Sequence, residues 1–104
     1  MNYTVLQIPF PRTKAEETIF CKYAYRSLDS IDYVHPEYYE KTYEGDIETD
    51  KTDEYEILEE IFTLLNVNHP EDYKGHSLSV SDIVVLNGKK YYCDSYGWIE
   101  IKNI

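Results

Sequence analysis

Positive charge is what this chain most lacks. Its 104 residues carry 10 Lys and Arg against 20 Asp and Glu, a formal charge of −10. Bare nucleic acid and anionic membranes repel such a surface, so direct binding to either is not expected. Cysteine is nearly absent: Cys21 and Cys93 are too few for a disulfide framework. No run approaches the roughly 20 consecutive apolar residues of a membrane helix. The opening Met1-Asn2-Tyr3-Thr4-Val5 has no basic n-region and no long apolar h-region, so no signal peptide is read. These absences together point to a cytoplasmic protein with both thiols reduced. Metal-binding spacings are missing as well. His35, His69, His76, Cys93 and Asp94 form no CxxC, HxxxH or HExxH pattern, and neither a metal nor another cofactor is expected. No internal repeat or low-complexity segment is visible.

What is present suffices for one folded domain spanning residues 1–104. Hydrophobic residues make up 42% of the chain and aromatics 15%, with 12 Tyr against 3 Phe and 1 Trp. That content separates the chain from acidic disordered tails. Residues 3–8 alternate imperfectly, with Tyr3, Val5 and Gln7 on one face and Thr4, Leu6 and Ile8 on the other. Their β-branched and aromatic character predicts a strand buried on both sides, ended by Pro9 and Pro11. Residues 13–17 read as a polar connection. Ile19, Tyr23, Ala24, Leu28 and Ile31 then fall at helical spacing, which predicts a helix over 19–31.

A second strand is predicted within residues 38–47, broken at Gly45. The clearest helix runs from about Glu54 to Leu65, with Ile57, Leu58, Ile61, Phe62 and Leu65 as its apolar stripe. Asp53 is placed to cap it, with Glu56 completing a capping-box-like pair, and Asn66 and Asn68-His69-Pro70 stop it. The last third reads as strands: residues 83–86, an Asn87-Gly88 hairpin turn, residues 89–93, a turn at Ser95-Tyr96-Gly97, and residues 98–101. The resulting order is β-α-β-α-β-β-β, an α+β domain with a mainly antiparallel sheet of about five strands and two helices.

The segment from Asn68 through Gly75-His76-Ser77-Leu78-Ser79-Val80-Ser81-Asp82 to Leu86 is similar to the signature of YodL-like domains. Tyr91-Tyr92-Cys93-Asp94-Ser95-Tyr96-Gly97-Trp98, Tyr43-Glu44-Gly45 and Leu58-Glu59-Glu60-Ile61-Phe62 also fit, so the resemblance covers roughly residues 39–101. It implies a home in conjugative or phage-like elements of Gram-positive bacteria. There such domains stand alone or within long proteins thought to help an incoming element survive its new host. It implies no catalytic residues. Cys93 departs from the family pattern, where an aliphatic residue is usual, and the acidic centre is a second departure.

The charge is concentrated. Residues 37–60 hold eleven acids against Lys41 and Lys51, which leaves nine of the ten net negative charges in this stretch. Glu44, Asp46, Glu48 and Asp50 occupy every second position. Extended, they would present carboxylates about 6.6–6.8 Å apart, close to twice the roughly 3.4 Å axial step per DNA strand. Glu40 precedes them, and Asp53, Glu54, Glu56, Glu59 and Glu60 continue the field onto the helix. Tyr39 and Tyr43 lie among the acids and offer contact area at low entropic cost. A solubilising face is the ordinary reason for such a run; a basic partner is the alternative.

Joined to the resemblance, the second reading is a non-enzymatic counter-defence inhibitor of the anti-CRISPR or antirestriction type. It would occupy the nucleic-acid groove of a basic host effector, such as Cas9 in its nucleoprotein complex or a restriction enzyme, as a DNA mimic. The alternative is a non-catalytic interaction or regulatory domain of a conjugative element, with His76, Ser77, Asp94, Tyr96 and Trp98 as its partner surface. A small hydrolase using Cys93 or Ser77 with His76 stands behind both, because no nucleophile-elbow motif is present. Ser77, Ser79 and Ser81 read more simply as outward positions alternating with Leu78 and Val80. Asp82 and Asp94 read as bonding nearby backbone at strand or turn ends.

Overall fold

The structure, a computed structural model, describes residues 1–102. Its elements are β1 (Asn2–Gln7), α1 (Lys14–Tyr23), β2 (Glu40–Asp46), α2 (Glu54–Val67), β3 (Ile83–Leu86), β4 (Lys89–Asp94) and β5 (Gly97–Ile101). Single turns of 3₁₀ helix occur at Leu28–Ser30 and Pro36–Tyr38. The strands form one antiparallel sheet in the order β2-β1-β3-β4-β5. This is the α+β architecture, in the element order, that the residue pattern predicts.

The double-sided burial read for residues 3–8 explains why β1 lies inside the sheet. Tyr3, Val5 and Gln7 are buried on the face covered by α2. On the opposite face, Leu6 packs with Val34, Ile83 and Tyr92 and with Leu28, Ile31, Tyr39 and Ile101. That second layer is built from the irregular chain between α1 and β2. Asp94 accepts from the Leu28 N–H at 3.0 Å, and the Tyr92 hydroxyl donates to the Arg26 carbonyl at 2.6 Å, which pins this layer to β4.

The apolar stripe of α2 is as its spacing predicts: Ile57, Leu58, Ile61 and Leu65 are buried and Phe62 packs partly against them. Asp53 caps the helix by accepting from the Tyr55 N–H at 3.0 Å. Glu56 does not complete the box; it reaches Lys51, 3.9 Å away. Asn66 does not stop the helix, which runs on to Val67. Its side chain instead clamps Leu78, donating to the carbonyl at 2.8 Å and accepting from the N–H at 2.6 Å. A buried Leu78 outside any strand thereby has both backbone groups satisfied.

The first helix differs from expectation. It begins at Lys14, with Thr13 accepting from the Glu16 N–H as its cap, and ends at Tyr23. None of its residues is fully buried. The helical spacing predicted over residues 19–31 holds for Ile19 and Tyr23, within α1, and fails beyond Tyr23, where Leu28 and Ile31 serve the second layer. The chain turns away at Tyr25, whose φ of 60° is unusual for a residue with a side chain.

Gly45 does not break β2. It pairs with Tyr3, and a Cβ there would lie 2.5 Å from the Tyr43 ring and 2.9 Å from the Tyr3 hydroxyl. The Asn87-Gly88 turn has φ of 54° and 74°, the two positive values that this hairpin requires.

Replacing Asn66 with Ala should cost about 1–3 kcal/mol of unfolding free energy, because two half-buried backbone groups lose their partners. Urea denaturation checks this, and Asn66→Asp, which sets a carboxylate oxygen against the Leu78 carbonyl, should not recover the loss at neutral pH.

Candidate functional site

The register of β2 decides where the acids go. Glu44 pairs with Thr4 and Asp46 with Asn2, so both share one face of this edge strand, while Tyr43 and Gly45 share the other. The regular ladder of carboxylates stops there. Ile47 turns into the core, and its backbone bonds that of Met1 in both directions, at 2.8 and 2.7 Å. Glu48 and Asp50 consequently lie in an irregular segment rather than on an extended face. The chain then folds back, and Asp46 and Glu48 meet Glu59 and Glu60 of α2 around a common groove. Thr49 donates a hydrogen bond to Glu60, tying the segment to the helix.

The remaining acids are divided. Glu40 is bound by Arg12 at 2.7 Å, Glu54 by Lys89 at 2.9 Å, and Asp46 by the N-terminal ammonium at 2.8 Å. These cations hold the carboxyls of Asp46 and Glu54 below their usual range. Glu44 and Glu56 have looser contacts with Lys41 and Lys51, at 3.7 and 3.9 Å. Glu48, Asp50, Glu59 and Glu60 have no cationic partner among the described residues. The two tyrosines among the acids face inward. Tyr39 donates to the Ser81 carbonyl at 2.7 Å, and Tyr43 donates to Asp72 at 3.0 Å, with its ring against Tyr3 and Tyr73.

The segment that carries the family resemblance forms a second constellation. Gln7 is fully buried, and its amide nitrogen meets four partner atoms: the Tyr73 hydroxyl at 3.3 Å, His76 Nδ1 at 3.3 Å, the His76 carbonyl at 2.9 Å and Asp82 Oδ2 at 3.1 Å. Its own Oε1 is buried without a partner. A Cβ on Gly75 would approach that oxygen to 2.5 Å, so only glycine lets the chain pass. Asp82, 1% exposed, also accepts from the Ser79 N–H at 2.9 Å. Burial drives its carboxyl up to about 6, against the opposing pull of the Ser79 bond, His76 and Gln7. Tyr25 and Ser81, both with positive φ, are joined here by a 2.9 Å bond from the Tyr25 N–H to Ser81 Oγ. Ser79 and Ser81 are thus not outward strand positions. Residues 76–80 form no strand, Ser81 is buried, and the Ser79 hydroxyl is buried without a partner.

Asp82 does bond local backbone as expected, whereas Asp94 reaches across to Leu28. The five residues of the alternative surface are not gathered. Asp94 and Trp98 line a cleft of about 340 Å³ that His76, Ser77 and Tyr96 do not touch. Trp98 packs edge-on against Phe62, and Tyr96 is fully exposed at the β4–β5 turn. His76 Nδ1 meets the Ser77 carbonyl at 2.9 Å and the Gln7 amide nitrogen at 3.3 Å, and no hydrogen bond joins the ring to the Ser77 hydroxyl or the Cys93 thiol among the described residues. Burial, with Asp82, Glu59 and Asp94 nearby, pushes the Cys93 thiol up to about 12, the opposite direction from the shift that activates a nucleophilic cysteine. No cluster of three or more His, Cys, Asp or Glu side chains suited to a metal occurs among the described residues. No helix among them is long and apolar enough to cross a membrane.

A five-stranded antiparallel sheet with one helix packed on it, and a glycine threaded past a buried glutamine, defines a small α+β domain. The model of the YodL-like domain family matches residues 2–103, and the chain belongs to that family. No curated protein and no solved structure matches it.

Two outcomes follow from the buried network. Gly75→Ala should cost about 1–3 kcal/mol in denaturant unfolding, the usual range for an overpacked interior. Because folding raises the Asp82 carboxyl from 3.8 to about 6, the folded state holds that proton more tightly. The associated stability is present below about pH 4 and is lost as the pH rises through 6. Asp82→Asn cannot titrate. Its unfolding free energy relative to the parent should therefore improve by roughly 2–3 kcal/mol between pH 4 and 7.

Proposed function

We propose that this YodL-like domain is a non-catalytic counter-defence inhibitor carried by a Gram-positive mobile genetic element. Its target is a basic host effector that handles nucleic acid, of the CRISPR-nuclease or restriction-enzyme class, and its acidic side substitutes for a polynucleotide backbone. The observation that carries this reading is the convergence of Asp46, Glu48, Glu59 and Glu60 around one groove, from two segments separated in sequence. Gathering like charges costs self-repulsion, and a cationic partner offsets that cost. Glu48, Asp50, Glu59 and Glu60 are left without a cationic partner among the described residues, so their charge is available to an outside partner. The DNA-like ladder is short in this geometry, so the mimicry proposed is of charge density rather than of phosphate spacing.

A second reading is favoured by one observation. Phe10 and Tyr25, 58% and 47% exposed, lie against the His76 ring at 5.3 and 5.8 Å. An interaction domain of the same element would use this aromatic patch in place of the acids.

Expression of the protein in cells armed with a CRISPR nuclease, or separately with a restriction enzyme, should raise the transformation efficiency of targeted DNA. Reversing Glu44, Glu48, Asp50 and Glu59 to Lys, all exposed positions, should abolish that protection without unfolding the domain. Protection lost instead in Phe10→Ser or Tyr25→Ser would favour the aromatic patch. No protection from either defence by the parent protein would overturn the inhibitor reading.

A further inference from the structure

The groove between residues 46–48 and the outward side of α2 has a volume of about 660 Å³ and is not uniformly polar. Ile47, buried, and Leu64, half-buried, both line it. Val67, in the last turn of α2, lines it while 78% exposed. An aliphatic side chain so placed adds nothing to the core of the domain, and it continues an apolar strip that begins inside the groove. The rim is anionic, with Asp46 and Glu48 on one side and Glu59 and Glu60 on the other. Of these four, only Asp46 has a cationic partner among the described residues, the N-terminal ammonium.

The helix supplies a second, independent preference for positive charge. Its last carbonyls lie at the Val67 end of the groove, where the helix dipole is negative. The last turn contains no basic side chain to balance them. The Asn68 N–H satisfies only the Leu64 carbonyl, at 3.1 Å. An apolar strip, four carboxylates and an uncompensated helix C-terminus therefore surround the same space.

We infer that this groove seats a Lys- and Arg-rich amphipathic segment of a partner protein. One apolar side chain of the segment lies on Ile47, Leu64 and Val67, and flanking cations meet the rim carboxylates and the end of α2. The acidic side then has an apolar anchor as well as a field: charge speeds encounter, and the buried side chain slows departure. A second copy of this chain, with its charge of −10, is a poor occupant because it is repelled. This inference rests on the basic-partner reading above and identifies the element of the partner that is held.

Two fluorescent 14-residue peptides of equal charge separate the contributions: one alternates Lys with Leu at helical spacing, and the other carries Ser in place of Leu. Anisotropy titrations with the full chain should give at least tenfold tighter binding of the Lys/Leu peptide. Val67→Ser, at an exposed position that the fold does not need, should remove that advantage. Glu59→Gln with Glu60→Gln should weaken both peptides and flatten the salt dependence. Equal affinities for the two peptides, or an unchanged advantage in Val67→Ser, would overturn the anchored groove while leaving the charge-based reading intact. Binding of neither peptide also overturns it, and the transformation assay then decides the inhibitor reading by itself. A dimer in sedimentation that Val67→Ser dissolves would replace the partner segment with a second copy.

Discussion

Burial of β1 on both faces is the constraint from which the rest of this structure follows. The inner face of the strand, Tyr3, Val5 and Gln7, is sealed beneath α2 and has nowhere to send a polar side chain, yet Gln7 is part of it and is completely buried. Its amide must find partners inside the protein, since an unpaired buried amide costs about 1–3 kcal/mol. Tyr73, His76 and Asp82 supply them. The long stretch between α2 and β3 therefore has a defined path without regular secondary structure. Gly75 is where it passes closest to the glutamine, and Asn66 holds it again at Leu78. The positive φ values at Tyr25 and Ser81 are local strain maintained by this network and the second apolar layer.

The other feature of the molecule is the division of its negative charge. Acids near cations are drawn into surface pairs, as with Glu40, Asp46 and Glu54, and such exposed pairs contribute little to stability. Beside the groove, Glu48, Glu59 and Glu60 have no cationic partner among the described residues. The inward turn of Ile47 creates this division. By ending β2 at Asp46 it removes Glu48 and Asp50 from the strand face, and it brings the segment against α2. The proposed function uses that consequence, and the groove adds to it the apolar contact that pure charge lacks.

Much of the fold was legible because its signals are local and periodic. Ile57, Leu58, Ile61 and Leu65 recur at helical spacing and all are buried on α2. Asn87-Gly88 demanded two positive φ values and has them. The failures are informative in the same terms. No residue of α1 is fully buried, and its half-buried Ile19, Phe20 and Tyr23 lie in its second half, so periodicity did not mark its start, and borrowed spacing from Leu28 and Ile31 displaced the reading toward the C-terminal side. Alternation of Ser77, Ser79 and Ser81 with Leu78 and Val80 imitated a strand, but the backbone groups of Leu78 are taken by Asn66 instead of a neighbouring strand. Of the candidate site, the cluster of acids was visible as composition. Its apolar lining was not, because Ile47, Leu64 and Val67 belong to segments that only folding brings together.

Local residue chemistry was enough to determine the α+β class, the element order, the meander of the last three strands and the region where negative charge accumulates. Each depends on side chains within a few positions of one another, where spacing and turn preferences act directly. Tertiary structure alone decided that Gln7 and Asp82 share a buried bond across 75 residues of chain. It also decided that burial pushes the Cys93 thiol above its usual range and that four carboxylates border an apolar groove. Burial and electrostatic environment belong to the neighbours a residue acquires in space, and no window along the chain contains them.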